Sequence, residues 1–431
     1  MNGYPVRVLH RTSNVAVDNP FPVSINNFSP TQTDAFGRLR VSNSFTLFDS
    51  FHRYQDNGKL GEYTTGTASS THDAQSGSIL LSVGSNVGNA VYRESTRVFA
   101  YQPGKSLLIF QTFCMNPGKT GLRQRQGYFD AANGVYIELN GTQLSFVRRS
   151  SVSGVLKDTV VPQNDWNVDK MDGTGPSQYT LNITRVQIFF TDIEWLGVGS
   201  VRMGFIIDGK FCICHIFHHA NEPSTANYDS TLPYMATACL PVRIELENIA
   251  ATNSPSYYRV ICASVMSEGG YELRGRSRSI GSEFIDVPKN LPTKNALYPV
   301  VSIRLKSTRL GAIVIPTQFH LIATVASDYK WCIIVNATIS GGNSWISAGA
   351  ESSVEYKLDG TNVITDGTIL KTGYFTATTN SSPAILLDST KFQFQLERNT
   401  FTGSAFTFTV AVASKAANDK VLGSLDWDEI V

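Results

Sequence analysis

Tight two-residue turns between alternating strands constrain the fold of this chain more than any other feature of its sequence. In GVYIELNGTQLSFVRRS, Val135, Ile137 and Leu139 share one face of an extended segment, and the apolar alternation resumes after Asn140-Gly141. Both central residues of a type I′ turn need a positive φ, which Asn and Gly tolerate, so this pair is among the strongest hairpin signals. The segment therefore predicts two antiparallel strands.

Two Asp-Gly pairs carry the same signal, Asp208-Gly209 in SVRMGFIIDGKFCICHIF and Asp359-Gly360 in SSVEYKLDGTNVITDG. Short strands separated by frequent turn signals, with few helical segments between them, are typical of antiparallel sandwiches. The expected fold class is therefore all-β, with two antiparallel, jelly-roll-like β-sandwich domains in series behind an extended N-terminal arm.

Changes in composition set the expected domain boundaries. Residues 1–50 are rich in Asn, Ser, Thr and Pro and are expected to form an extended arm or anchor, because Pro removes a backbone donor and disfavours helix in the residue before it. Residues 51–286 are expected to form a large sandwich and 287–431 a second one, since the Gly-, Arg-, Ser- and Pro-rich stretch from Ser267 suits a linker. The acidic and apolar tail NDKVLGSLDWDEIV is expected to dock on its own domain or on a neighbouring subunit.

Charge and hydropathy argue against several classes of protein. The chain has 36 Lys and Arg against 35 Asp and Glu, a net charge of +1, so no overall field favours binding to nucleic acid or to a membrane. No stretch approaches the roughly 18 apolar residues of a membrane span. The N terminus lacks the apolar core of a signal peptide, so synthesis in a cytoplasm is expected. The six cysteines lie in or beside apolar runs and are expected to be reduced, buried thiols.

The segment KFCICHIFHHA concentrates residue types that bind metals: Cys212, Cys214, His215, His218 and His219. On a strand, however, the two cysteines share one face and His215 points to the other, and no second ligand pair has a suitable spacing. A core strand followed by a histidine-containing loop is therefore favoured over a zinc site, and no metal or other cofactor is expected.

The loop QNDWNVDKMDGTGPSQ is rich in side-chain oxygens, from Asp165, Asn167, Asp169 and Asp172. The calcium-binding loop that it resembles needs ligands at strict alternate positions and a Glu at the twelfth, which is missing here. A turn in which these side chains bind their own backbone is favoured over a bound cation.

Signatures of catalysis are missing from the sequence, which has no GxSxG elbow, Walker loop, GxGxxG after a strand or HExxH. Asp192 and Glu194 lie two residues apart on one predicted strand, where such a pair can flank a sugar. Lone carboxylates in β proteins are more often solvated or paired, and Arg185 and Arg202 lie nearby in the sequence. Because no acid, base and cleft are jointly indicated, the chain is not expected to be an enzyme.

The motif TDAFGRLRVSNSFTLFDS, together with YRESTRVFAYQPGKSLL, KTGLRQRQGYFDAANGVYIEL, WNVDKMDGTG, DIEWLGVGSVRMGF and LPVRIELEN, resembles a family of virion structural proteins of tailed bacteriophages. The resemblance is to phages of cyanobacteria and other aquatic bacteria in particular, and it runs from about residue 33 to about residue 275. It implies a non-enzymatic virion component that is synthesised in the cytoplasm of the host bacterium. It implies no catalytic residues.

The opening motif also contains most of the expected interaction residues. These are Arg38, Arg40, Phe45, Phe48, Phe51 and, in the tail, Trp427. An extended arm can add a strand to a neighbouring subunit and gain main-chain hydrogen bonds. It can equally be the first strand of its own domain, since either arrangement buries the aromatic group. The sequence leaves both alternatives open.

The expected partners are further copies of the chain, in a homo-oligomer for which a trimer is favoured, and other virion proteins. A role in the tail, baseplate or fibre is expected ahead of head or neck decoration. The rival function is a carbohydrate-binding or carbohydrate-cleaving sandwich that recognises a host-surface glycan. Its sign would be a cleft lined by stacking aromatic residues with paired carboxylates.

Overall fold

The computed structural model of the chain describes residues 33–34, 43–272, 275–378, 384–386 and 394–430. The expected interaction residues Arg38 and Arg40 lie outside the described residues. In the described part of the chain, the two helical elements are single 3₁₀ turns, Gln163–Asp165 and Ser307–Arg309. None of its helices is long and apolar enough to span a membrane.

Fifteen strands form the first sandwich. They are β1 (Phe45–Phe51), β2 (Leu60–Thr65), β3 (Ser69–Asp73), β4 (Ser78–Val83), β5 (Ala90–Ser95), β6 (Ser106–Cys114), β7 (Leu122–Phe129), β8 (Gly134–Asn140), β9 (Gln143–Ser150), β10 (Lys157–Pro162), β11 (Gln187–Ile193), β12 (Val201–Ile207), β13 (Lys210–Phe217), β14 (Val242–Asn248) and β15 (Ser256–Glu268).

These strands make two antiparallel sheets that share one core. The eight-stranded sheet has the order β13-β12-β11-β6-β15-β4-β3, and β1 pairs with the C-terminal part of β15. The seven-stranded sheet has the order β10-β9-β8-β7-β14-β5-β2. Aromatic side chains from both sheets fill the space between them; Phe146 stacks on Trp166 with ring centroids 4.2 Å apart.

Thirteen further strands belong to the second sandwich and the segments attached to it. They are β16 (Arg276–Gly281), β17 (Lys289–Leu291), β18 (Tyr298–Leu305), β19 (Ile313–Ala323), β20 (Ser327–Val335), β21 (Ile346–Ser347), β22 (Val354–Lys357), β23 (Thr368–Ala377), β24 (Ala384–Leu386), β25 (Arg398–Asn399), β26 (Ser404–Ala405), β27 (Phe408–Ser414) and β28 (Asp419–Ile430).

The second sandwich packs a five-stranded sheet, of order β16-β28-β19-β24 with β17 also on β28, against a six-stranded sheet of order β21-β22-β18-β27-β20-β23. Strands β25 and β26 form a separate short hairpin. The expected fold class, two antiparallel β-sandwiches in series, is confirmed. Strand β16 starts ahead of the boundary expected at residue 287, because its residues pair with β28 of the second sandwich.

The first two predicted hairpins are confirmed and the third is wrong. Strands β12 and β13 turn at Asp208-Gly209, with φ of 52° and 74°, whereas β8 and β9 turn one residue later than predicted, at Gly141-Thr142. Asp359-Gly360 instead lies in a long loop between β22 and β23, which pair with different strands. A Cβ on Gly360 would lie 2.9 Å from the Pro299 ring, so close packing rather than a tight turn requires the glycine there.

The C-terminal tail docks on its own domain, which is one of the two alternatives that the sequence left open. Strand β28 pairs with β16 and β17 on one side and with β19 on the other. Trp427 is fully buried in this strand, and its Nε1 donates to Glu429 Oε1 at 2.9 Å.

A buried junction of polar groups joins the two sandwiches. The Arg398 guanidinium, at the start of β25, donates to the Ser95 carbonyl at 2.7 Å and to the Glu94 carboxylate at 3.2 Å. Thr400 Oγ1 also donates to Glu94, at 2.7 Å, and the backbone N–H of Arg398 donates to the Thr96 carbonyl. Each of these groups comes from the β25–β26 hairpin and binds the C-terminal end of β5, an inner strand of the seven-stranded sheet.

An apolar contact extends the junction. Val98 and Ala100 of the first sandwich form a small buried cluster with Ile313 on the outer face of the five-stranded sheet. Phe401, at the tip of the β25–β26 hairpin, packs over Tyr63 and Tyr92. Because hydrogen bonds and apolar packing both cross this junction, the two sandwiches are held in one arrangement.

Replacement of Arg398 by Met should lower the free energy of unfolding by about 3–5 kcal/mol, because a buried carboxylate loses a charged partner. The matched control is Arg276→Met, since Arg276 makes an exposed ion pair with Glu351 whose loss should cost less than about 1 kcal/mol. Urea denaturation followed by circular dichroism measures both effects. Equal losses for the two variants would contradict the importance of the buried junction.

Candidate interaction surface

The outer face of the eight-stranded sheet, turned away from the shared core, carries a continuous apolar surface. This surface, the outer patch, consists of Leu108, Phe110, Phe190, Ile206, Phe211, Ile213, Ile216 and Met266. Its members lie on five adjacent strands, β13, β12, β11, β6 and β15. The outer face of a solvated antiparallel sheet is normally polar, so an apolar patch of this kind indicates a contact surface.

The aromatic residues of the outer patch contact one another. Phe211 lies 4.9 Å from Phe190 and 5.9 Å from Phe110 between ring centroids. Strand alternation explains the position: Phe189 points into the core of the sandwich, so the next residue, Phe190, points outward. Exposed Ile188, two residues earlier on the same strand, extends the apolar surface.

A buried ion pair borders the outer patch. Asp192 on β11 and Arg202 on β12 are direct cross-strand partners on the outer face, and their side chains form a salt bridge. Arg202 also donates from Nη2 to the Thr33 carbonyl at 2.9 Å, and Asp34 beside it is buried. Residues 33–34 therefore lie on this face and help to exclude water from the pair.

This ion pair bears on whether Asp192 and Glu194 can act together at a sugar site. The sequence indicated Arg202 as a partner for Asp192 or Glu194, and the partner is Asp192. Glu194 lies beyond the end of β11, where burial raises the pKa of its carboxyl. Asp192 is fully buried against Arg202, so these two carboxylates do not flank an open sugar site.

The aromatic residues of strand β1 belong to the sandwich of their own chain. Strand β1 pairs with β15 of the same chain, so the structure selects the second of the two alternatives for residues 45–51. Phe48 is buried in the core against Phe99, and Phe45 stacks on Tyr271 with centroids 5.2 Å apart. Phe51 is 58% exposed. Of these three, Phe51 alone presents most of its ring to solvent.

An apolar loop on the second sandwich is a further exposed surface. Phe284, Ile285 and Val287 are 58%, 87% and 66% exposed, although they lie within four consecutive residues. The loop borders a hollow of about 200 Å³ whose walls include Ile322 and Leu422 on the outer face of the five-stranded sheet. The sequence gives no signal for this surface, because the stretch around it has the composition of a linker.

The cysteine- and histidine-rich segment forms strand β13 and the loop after it, as predicted. His215 Nδ1 accepts from the Asn167 backbone N–H at 3.3 Å, and His219 Nδ1–H donates to the Gly199 carbonyl at 2.6 Å. The His219 ring stacks on Tyr234 with centroids 3.8 Å apart. Among the residues that the structure describes, no group of three or more His, Cys, Asp or Glu side chains is placed to hold a metal ion.

The oxygen-rich loop uses its carboxylates to hold its own backbone, as the turn interpretation predicted. Asp169 accepts from the Met171 and Ser177 backbone N–H groups, and Asp172 accepts from that of Thr174. The cysteines follow the prediction less closely. All six are free, but Cys262 is exposed on the outer face, across from Phe51.

Comparisons with known proteins give no family. A scan against protein-family models finds no match for the sequence. A search of curated proteins finds no match either.

Several solved structures show a weak likeness to this chain. A protein of unknown function from Shewanella oneidensis MR-1 aligns over 57% of this chain and 97% of its own, at 9% identity and a TM-score of 0.33. A Bacteroides ovatus mixed-linkage glucan GH16 protein in complex with a product aligns over 51% and 99%, at 7% identity and 0.32. Arcelin-5, a lectin-like defense protein from Phaseolus vulgaris, aligns over 52% and 98%, at 12% identity and 0.29. TM-scores this low support no conclusion about function.

Two buried histidines of this segment, His215 and His219, predict a loss of stability in mild acid. Burial lowers the pKa of His215 to about 4 and that of His219 to about 3, whereas an unfolded histidine titrates near 6.5. Between these values only the unfolded chain takes up the protons, so the free energy of unfolding falls as the pH falls from about 6.5 towards 4. From pH 7.5 to pH 5 each histidine should contribute a loss of about 2 kcal/mol.

Urea denaturation at the two pH values measures this loss. The variant that carries both His215→Gln and His219→Gln should lose much less stability on acidification than the wild type. The matched control is His218→Gln in the same segment, because His218 is exposed, and it should retain most of the loss. A double variant as acid-sensitive as the wild type would show that other groups are responsible.

Proposed function

We propose that this chain is a non-enzymatic structural component of a tailed-phage particle, built for symmetric self-association and for attachment to other virion proteins through its N-terminal arm. A role in the tail, baseplate or fibre is favoured. The particle assignment comes from the resemblance of the opening motif and the segments that follow it to phage virion proteins. The structure adds two features that suit such a role.

The observation that carries the proposal is the exposed apolar loop of the second sandwich. Single apolar residues are common on protein surfaces, but Phe284, Ile285 and Val287 together form an exposed apolar group beside a hollow. Such a group loses its contact with water when another surface covers it. In a symmetric assembly the same surface is buried once in every copy.

The buried junction is the second feature. A particle component transmits load between neighbours, and hinge motion between its sandwiches would weaken that transmission. Arg398, Thr400 and Phe401 remove this freedom by anchoring the β25–β26 hairpin to the first sandwich. The two sandwiches are therefore suited to hold their contact surfaces for neighbouring proteins at fixed angles to each other.

Replacement of Ile285 by Asp should weaken self-association, because burying an unpaired carboxylate in a contact is costly. Light scattering on the purified chain should show a homo-oligomer, expected to be a trimer, that shifts towards monomer in the variant. The control is Val155→Asp, a change of similar exposure on the first sandwich, which should leave the oligomer intact. A wild-type chain that is monomeric and missing from purified particles would contradict the proposal.

Binding of a host-surface glycan is the second candidate function, and one cleft favours it. Tyr374 on β23 is 75% exposed beside a cleft of about 650 Å³. Asp328, Lys415 and Thr376 line this cleft and are joined by hydrogen bonds of 2.8 Å. An exposed aromatic ring beside fixed polar groups can stack on a sugar while the polar groups bind its hydroxyls.

A glycan-array screen tests this second function. The wild type should bind a defined subset of glycans, and Tyr374→Ala should reduce that binding at least about tenfold if the ring supplies stacking. The exposed Tyr54 of the first sandwich offers a control, since Tyr54→Ala should change nothing. A wild-type chain that binds no glycan would remove this candidate and leave the structural role untouched.

A further inference from the structure

The outer patch needs a covering surface, and the described strands do not supply a second layer there. Leu108, Phe190 and Ile213 are buried, whereas Phe110, Phe211 and the other members are only partly buried. Strands β6, β11 and β12 thus carry apolar residues on both faces, an arrangement typical of sheets that are covered on both sides.

The chain itself reaches this face at Thr33. The Thr33 carbonyl accepts from Arg202, and the cross-strand neighbours of the ion pair are two members of the outer patch: Ile216 opposite Arg202, and Leu108 opposite Asp192. The residues before Thr33 lie outside the described part of the chain. Because residue 32 is bonded to Thr33, the segment before Thr33 is attached to the chain at the border of the patch.

The sequence before Thr33 has the composition of a covering strand. In FPVSINNFSPTQ, residues 21–32, Phe21, Val23 and Ile25 alternate with Pro22 and Ser24, and no residue is charged. An extended segment with this alternation presents three apolar side chains on one side. Pro22 favours the extended form and lacks an N–H group that would otherwise need a partner.

The distances allow the contact. Twelve extended residues span up to about 40 Å. Five neighbouring strands are only about 19 Å wide from the first to the last. The segment from Phe21 to Thr33 is thus long enough to cross the whole outer patch.

We propose that residues 21–32 lie across the outer patch of their own chain, with Phe21, Val23 and Ile25 against its apolar side chains. The patch is then a docking surface for the arm of the same molecule rather than for a second copy. Residues 1–20 remain available for contacts with other proteins of an assembly. The inference does not rest on the proposed function, since it concerns the isolated chain.

Photo-crosslinking tests this arrangement in the full-length chain. Phe21 is replaced by the photoreactive residue p-benzoylphenylalanine, and the crosslinked peptides are identified by mass spectrometry. We expect crosslinks to peptides of β6, β11, β12, β13 or β15. The matched control is the same substitution at Ser24, whose side chain points away from the patch in an extended segment and should give at least about fivefold fewer of these crosslinks.

Isotope labelling separates the chain's own arm from the arm of another copy. Unlabelled and uniformly ¹⁵N-labelled chains are unfolded in urea, mixed in equal amounts, refolded together and irradiated. Crosslinks that join peptides of one label only support the proposal. Crosslinks between labelled and unlabelled peptides would assign the patch to a second copy, and crosslinks that avoid these five strands would show that the arm lies elsewhere; either result overturns it.

Discussion

The Glu94 carboxylate lies at the centre of the polar junction between the two sandwiches, and their relative arrangement depends on it. Arg398 and Thr400 bind it from the second sandwich, and Arg243 binds it from the neighbouring strand at 2.6 Å. Arg243 also binds Glu245, which in turn binds Arg125. Charges buried in this way are tolerated only while every member keeps its partner. The junction is therefore specific to one relative placement of the two sandwiches.

The outer faces of the two sheets of the first sandwich differ in chemical character. The outer face of the seven-stranded sheet carries the Arg and Glu network, and part of it is covered by the β25–β26 hairpin through Phe401. The outer face of the eight-stranded sheet carries the outer patch, which is bordered by the ion pair of Asp192 with Arg202 beside residues 33–34. Charge pairing thus fixes the second sandwich on the outer face of the seven-stranded sheet. On the outer face of the eight-stranded sheet, burial of apolar area is the main driving force for binding a covering segment.

Local sequence signals predicted those parts of the fold whose conformation is determined by adjacent residues. The turns at Asp208-Gly209 and near Asn140 were found because a two-residue turn depends on the φ preference of its own residues. Asp359-Gly360 shows the limit, since its glycine is required by packing against Pro299, a contact remote in sequence. Strand β16 was missed for a related reason. Its Ser277 and Ser279 carry no apolar pattern, and their hydroxyls bind Asp428 and Asp426 on the partner strand β28.

The candidate surface was less predictable than the fold, although one signal for it was present in the sequence. Strands β6, β11 and β12 contain the runs LLIF, IFF and GFII, in which apolar residues are consecutive rather than alternating. Such runs are typical of strands covered on both faces. The alternation in the neighbouring hairpins indicates only the residues that face the core, and it does not identify Phe190 and Ile206 as outward-facing. A sheet that is apolar on both faces needs two covering layers, and the seven-stranded sheet provides the first. The second has to come from a segment that reaches the same face, and within the described residues the chain arrives there at Thr33, beside Arg202.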